Sequence, residues 1–567
     1  MNERFNIQTK VDRRRFLRRG GLAGLGLGSM AATLANLKMM SEATASQTSV
    51  GSDYKALVCF FLNGGCDTNN VVIPIGNNPQ ADNYKLDRGV AGIPETQADA
   101  IAMQTQYGLS FTPEWITGAD GGAGTEINSP SPTDQQFGLH PSLKTMASMF
   151  NQGNLAFVTN CGTLAEQTTA GNYNNAVLPI QLFSHADQVN QWFSSVPQNP
   201  FVSGWAGRIA DLFEQNNTNP EAKTSMLITA AGNTDLLVSP GGTVPQYSVT
   251  TTGAIPLTGY GTNYAGALDG NGKYDTNSTG RRLRAFEAIM NYNHSHVIEQ
   301  GYNTVVKRAR GNEETIGAAV AIADTNSGAS SNPGPFPTDN YLDNLFVTTY
   351  NTLRGTNFTQ ASQLPNDVEE MLIIAKLITG RKCLGNNRQV FFMNKGGFDN
   401  HQDINDDLPG LLGDVDAIVA CFDQAMQDLA QYDPDFDYNM VTTFQASDFN
   451  RTWTPNGDDY GTSGTDHAWG THTWIFGGAV EDVAAPSTGK LYGFFPELAV
   501  GGADDVPQGN RGRWIPTTAT DQYYARLANW FGVSTADLSG PQGIFPNLDE
   551  FVDPFNAAAN LDFIGTT

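Results

Sequence analysis

A chain of 567 residues with 32 lysines and arginines against 57 aspartates and glutamates carries a formal charge of −25. With so little basic surface to neutralise phosphates, nucleic acid is excluded as a natural partner. Five cysteines (Cys59, Cys66, Cys161, Cys383 and Cys421) are too few for a disulfide scaffold of this size and lack zinc-ribbon spacing. Buried free thiols are the expected state, although Cys59 and Cys66 flank one strand end and could pair.

The amino terminus reads as a twin-arginine export signal. Asp12-Arg13-Arg14-Arg15-Phe16-Leu17-Arg18 precedes a mild Gly/Ala/Leu stretch, Leu22 to Leu34, and Ala43-Thr44-Ala45 offers small residues for cleavage. That stretch is too short and glycine-rich for a stable membrane span, and no other segment is apolar enough to cross. Residues 1–45 are therefore set apart from the fold. Removing their eight basic and three acidic residues leaves 24 basic against 54 acidic, a mature charge near −30. The expected location is periplasmic or extracellular, reached already folded, with the twin-arginine translocase as a partner during export.

Residues 46–567 read as a single large α/β domain, a mostly parallel central sheet with helices on both faces and β-rich, loop-rich insertions near 77–138 and 231–340. Tyr54 to Leu62 is a nearly continuous apolar run, as a strand buried on both faces requires. It ends in Asn63-Gly64-Gly65-Cys66-Asp67, at the kind of place where open α/β sheets bind ligands. Pro141 to Phe150 reads as a helix and Leu155 to Thr159 as a second strand. Farther on come a helix at Val368 to Thr379, a strand Gln389 to Met393, a long helix from about Leu411 to Ala430 and a strand Met440 to Phe444.

Those last two strands run into Gly396-Gly397-Phe398-Asp399-Asn400-His401 and Ser447-Asp448-Phe449-Asn450-Arg451-Thr452. A third apolar segment, His472 to Gly478, follows Gly464-Thr465-Asp466-His467. Four polar clusters thus fall at strand ends, and three of only seven histidines lie in or beside them. Imidazole with carboxylate suits zinc, manganese or iron, and all-carboxylate sites suit magnesium or calcium. If Asp67, Asp399, His401, Asp448, Asp466, His467 and His472 converge, they suffice for a two-metal centre acting on the attacking and leaving oxygens of a displacement. Taken singly, each also reads as a turn, a cap or a hydrogen-bonded structural residue. Ser184, ahead of the helix beginning near His185, is the candidate nucleophile or simply an N-cap. His185, Asn450 and Arg451 are candidate substrate-binding residues, whereas His294 and His296 read as polar residues on a helix face.

In order along the chain, the signal, Gly64-Gly65-Cys66-Asp67, His140-Pro141-Ser142-Leu143, Ser184-His185, Gly396 to His401, Ser447 to Thr452, Gly464 to His467 and Trp530-Phe531-Gly532-Val533 resemble the bacterial family catalogued as domain of unknown function 1501, over about residues 10–551. That family is similar, more distantly, to the alkaline phosphatase and sulfatase superfamily. The resemblance implies Asp67, Asp448 and His467 as metal ligands, with Asp399 and His401 beside them, and Ser184 at the nucleophile position. Phe449 stands where the superfamily usually has a ligand histidine, and Ser184 lacks the Cys/Ser-x-Pro-x-Arg surroundings that sulfatases use. The expectation is an exported metal-dependent hydrolase of small-molecule or polymer esters of phosphate or sulfate, with zinc, magnesium, manganese or calcium as cofactor. The alternative is a non-catalytic exported binding protein on the same fold with a degraded site.

Overall fold

The computed structural model describes residues 53–75, 79–88, 114–115, 127–128, 136–200, 203–254, most of 259–330, 333–457, 462–480 and 491–565. The export signal, His294 and most of the 77–138 insertion lie outside the described residues.

Strand β1, Lys55–Leu62, is buried along all but its first residue. Its side chains alternate, as the period of two demands: Ala56, Val58, Phe60 and Leu62 enter one apolar core, and Leu57, Cys59 and Phe61 enter the other. Two cores on opposite faces are what a strand at the centre of a doubly covered sheet must build.

The sheet has ten strands. After β1 come β2 (Leu155–Gly162), β3 (Leu227–Thr229), β4 (Tyr247–Thr250), β5 (Gly253–Ala254), β6 (Arg388–Lys395), β7 (Val441–Ser447), β8 (Thr471–Phe476), β9 (Leu491–Gly493) and β10 (Thr518–Ala519). Their spatial order is β9-β2-β8-β7-β1-β6-β3-β4-β5, with β10 also on β2. β1 lies parallel to β6 and β7, Val58 facing Phe391 and Thr443. β8 is antiparallel to both β7 and β2, and β5 is antiparallel to β4; the other pairings are parallel. Reversal of β8 puts its first residues, Thr471 and His472, on the same sheet edge as the last residues of β1, β6 and β7.

Helices cover both faces, which makes this the α/β fold expected. Met146 of α1 (Lys144–Asn151), Phe346 of α4 (Tyr341–Arg354), Ile374 of α5 (Asn366–Thr379) and Ile418 of α6 (Ile404–Tyr432) fill the first core. Trp192 of α2 (His185–Ser194), Ile209 of α3 (Trp205–Gln215) and Leu527 of α7 (Thr520–Phe531) fill the second. Residues 231–340 hold β4 and β5 and then two helices, Ser278–Met290 and Val297–Asp324, so that stretch is more helical than its Gly-rich start suggests. A small antiparallel sheet, including Val72–Ile75 and Gln136–Leu139, flanks the 77–138 insertion. All five cysteines are free thiols, Cys59 and Cys66 among them. Among the described residues no helix is long and apolar enough to cross a membrane.

Asp521, at the start of α7, is fully buried and accepts a hydrogen bond from Ser195 Oγ at 2.5 Å. Burial pushes its carboxyl up to about 7, although Ser195 and the charge of Arg208 pull the other way. A folded-state value above the unfolded one means that the native chain holds the extra proton between about pH 4 and 7, so stability falls as pH rises through that window. Asp521→Asn is expected to flatten this fall. Denaturant unfolding at pH 5 and pH 8 checks it, and an equal loss in variant and wild type would contradict it.

Candidate metal centre

At the edge where β1, β6 and β7 end, three loops are drawn together by Arg451. Its guanidinium is fully buried and donates to Gly65 O at 2.8 Å, Thr465 O at 3.1 Å, Phe398 O at 3.0 Å, Gly64 O, and Asp399 Oδ1 at 2.5 Å. Gly64 and Gly65 allow this close approach: both have positive φ, and a Cβ on Gly64 would lie 2.5 Å from Asp399 N. Phe449 packs beneath, its ring centroid 4.7 Å from that of His185 and 4.6 Å from that of His467.

Above this floor His185, Asp399, His401 and His467 each offer a ligand atom, all within 4.8 Å of one another. The Nε2 of His467 lies 3.1 Å from that of His185 and 2.8 Å from that of His401. Asp399 Oδ1 is 3.4, 3.1 and 3.7 Å from the Nε2 atoms of His185, His401 and His467. Four donors around one tetrahedral ion with bonds of about 2.0–2.1 Å would be separated by roughly 3.3 Å.

The other ring nitrogens are committed elsewhere. His185 Nδ1 meets Asp448 Oδ2 at 2.7 Å, His401 Nδ1 meets Asp466 Oδ1 at 3.1 Å, and His467 Nδ1 meets Phe183 O at 2.7 Å. Each partner accepts, so each neutral imidazole carries its proton on Nδ1 and turns a lone pair inward on Nε2. Three imidazole lone pairs and a carboxylate oxygen pointing at one volume repel unless a cation or added protons sit among them. The donor set suits zinc, manganese or iron; magnesium and calcium, which seek oxygen ligands, do not fit it.

The surroundings tune the set. Burial would raise the Asp399 carboxyl, but the hydrogen bond and charge of Arg451, with His185 and His401, hold it below its ordinary value. For Asp466, burial is likewise outweighed, by hydrogen bonds from Asn456 and Arg511 and the charge of Arg511. The hydrogen bond with Asp448 raises His185 despite partial burial, and burial lowers His467, helped by the neighbouring His185, Arg451 and His401.

The expected residues thus divide. Asp399, His401 and His467 come together, joined by His185. Asp448 is fully buried and stands behind His185, with its Oδ1 accepting from Gly64 N at 3.0 Å; Asp466 stands behind His401 and pairs with Arg511. Asp67 is outside the group, buried in an ion pair with Arg88, which also donates to Thr452 O at 3.0 Å. His472, fully buried, stacks on Phe495 and accepts from Asn160 N at 3.1 Å, and burial pushes it down to about 3. Asn450 is buried and bonds Thr68 N, Gly470 O and Asn69, and Arg451 bonds the loop carbonyls. Among the described residues one four-donor group forms, not the pair of metal positions that seven ligands would allow. Ser184 donates its hydroxyl to Asp187 Oδ2 at 2.6 Å and makes no bond to the group. Sequence reasoning passed over Arg511 and Arg513; Arg513 Nε donates to His467 O at 3.0 Å, and its guanidinium lies over the Phe183 ring at 4.5 Å.

Residues 350–507 match the family model described as Protein of unknown function (DUF1501). The match supports that family for this chain and covers Asp399, His401, Asp448 and His467, over a shorter stretch than the 10–551 expected; His185 lies outside it. No curated protein and no solved structure matches the chain.

Proposed function

We propose that this chain is an exported metal-dependent hydrolase in which His185, Asp399, His401 and His467 hold one divalent cation beside an ester of phosphate or sulfate. The observation that carries the reading is the convergence of three imidazoles and one carboxylate whose ligand atoms all lie within 4.8 Å of one another, each imidazole oriented by its own acceptor. An anionic ester is favoured because Arg513 brings a guanidinium to His467 at this edge of a strongly acidic chain. A cation bound there would polarise the ester and lower the pKa of an attacking group. The protein's part is to fix the donors, to hold Asp399 ionised through Arg451, and to present the Arg513 guanidinium at the rim. Ser184 precedes a ligand histidine, yet its hydroxyl is engaged by Asp187, which favours water over serine as the attacking group. The distant likeness to alkaline phosphatases and sulfatases belongs to this proposal.

The test is chelation followed by addition of zinc, manganese or iron, with aryl phosphates, phosphodiesters and aryl sulfates as substrates. Metal-dependent turnover of at least one is expected; none on any of them would remove the hydrolase reading. Export is part of the proposal, carried by the arginine motif at residues 13–15. Replacing Arg14 and Arg15 together with lysine is expected to leave the precursor in the cytoplasm, and unimpaired export of that variant would contradict it. A second reading, an exported binding protein with a degraded site, draws on Phe449, an apolar ring beneath His185 and His467 where a ligand histidine would otherwise stand. It predicts folded protein that retains little stoichiometric metal.

A further inference from the structure

Beside the metal-donor group, on the far side of His185 and Asp448, lies a cavity of about 520 Å³ that opens widely to solvent, the shape of a site that holds one face of a ligand and leaves the other exposed. Its walls come from the loop after β1, from α2, and from residues 231–235 beyond β3. No lysine or arginine lines it, and its two carboxylates are Asp235 and Asp448; Asp448 is already held by His185 and Gly64. A phosphate or sulfate group would therefore find no counter-charge inside. What the cavity offers is amide and hydroxyl chemistry: Asn63, Asn190, Asn233, Asn394 and Thr234. A carboxamide both donates and accepts, as a hydroxyl does, so a ring of them matches a ligand carrying several hydroxyls. Among the described residues the side chains of Asn63 and Asn233 make no hydrogen bond with the protein, which leaves both amides for a ligand.

The floor is apolar, formed by Phe61, Phe193 and Phe392. Their rings do not make a slot: Phe61 and Phe193 are inclined at 57°, Phe61 and Phe392 at 30°, and Phe193 and Phe392 at 87°. A flat base or aromatic ligand stacks best on a common plane; a saturated ring with C–H groups on one face and hydroxyls around its edge needs only an apolar patch below and amides around it.

We propose that this cavity takes the uncharged, hydroxyl-rich part of the substrate, one or two sugar rings, and places the ester at its mouth beside His185. The substrate role rests on the hydrolase reading, whereas the binding itself rests on the cavity alone. The experiment uses the full mature chain loaded with metal, with cellobiose, maltose and N,N′-diacetylchitobiose as probes in saturation-transfer NMR and calorimetry. At least one probe is expected to bind. Ala231→Trp, which intrudes on the cavity from its wall, and Asn63→Ala and Asn233→Ala, which remove amides at exposed positions, should each weaken it at least about tenfold with metal content unchanged. If none of the probes binds, or if binding is indifferent to all three substitutions, the assignment is overturned. Metal content is read on the same samples, so sugar binding by a chain that holds no metal would uphold the cavity and sink the hydrolase reading.

Discussion

Replacing His467 with alanine is expected to take bound metal from about one ion per chain to under a tenth, the largest single effect on the site. His467 is the donor that touches both other imidazoles, with its Nε2 at 3.1 and 2.8 Å from theirs, and its Nδ1 is anchored on Phe183 O. Without it His185 and His401 lose the group that sets their spacing, and three donors remain for an ion that prefers four. Asp448→Asn gives the graded comparison. It leaves all four donors and a side-chain oxygen for Gly64 N, but weakens the carboxylate that orients His185, so affinity should fall about 10–100-fold, not vanish. Elemental analysis after gel filtration, with a zinc-competition titration, reads both. Full metal in His467→Ala would show that the ion sits elsewhere.

The second large effect falls on the fold. Arg451→Met is expected to cost about 3–5 kcal/mol of stability, because the methionine fills the space but leaves the buried carbonyls of Gly64, Gly65 and Thr465 without their donor, while Phe398 O keeps Asn400 N. Those carbonyls belong to the loops after β1 and β6 and the loop before β8, so one side chain ties the two loops that carry Asp399, His401 and His467 to the loop after β1. Guanidinium unfolding checks the figure, and a loss below about 1 kcal/mol would contradict the role given to Arg451. The same variant should also free Asp399 from its ion pair and so loosen metal.

Why some of this was legible in sequence and some was not follows from particular residues. β1 declared itself because burial on both faces leaves an unbroken apolar run, and the loop after it because two glycines there must take positive φ. The reversal of β8 left no mark, since a central strand is apolar on both faces whichever way it runs. α6 begins at Ile404, ahead of the Leu411 expected, because Asp406, Asp407 and Pro409 interrupt the apolar period at its first turns. The strand-end clusters fall at the sheet edge where His185, Asp399, His401 and His467 converge, but sequence could not separate a carboxylate that joins that group from one that supports an imidazole. Asp399 and Asp448 both follow buried strands, and only the depth of Asp448 and its bond to Gly64 N set them apart. Asp67 was drawn away by Arg88, whose place at the end of a short helix in a polar insertion gave no warning. His185, a substrate-contact candidate in the sequence, opens a helix and lacks the Gly-Asp setting of the residues it meets; the scarcity of histidines is the one sequence signal that groups it with them.

The central claim is that one ion sits among three imidazoles and one carboxylate. X-ray absorption at the metal edge of the purified, metal-loaded chain tests it most directly. The account predicts a light-atom shell at about 2.0–2.1 Å with the outer-shell scattering of three imidazole rings. An all-oxygen shell without imidazole scattering, or no bound ion in folded protein, would contradict it.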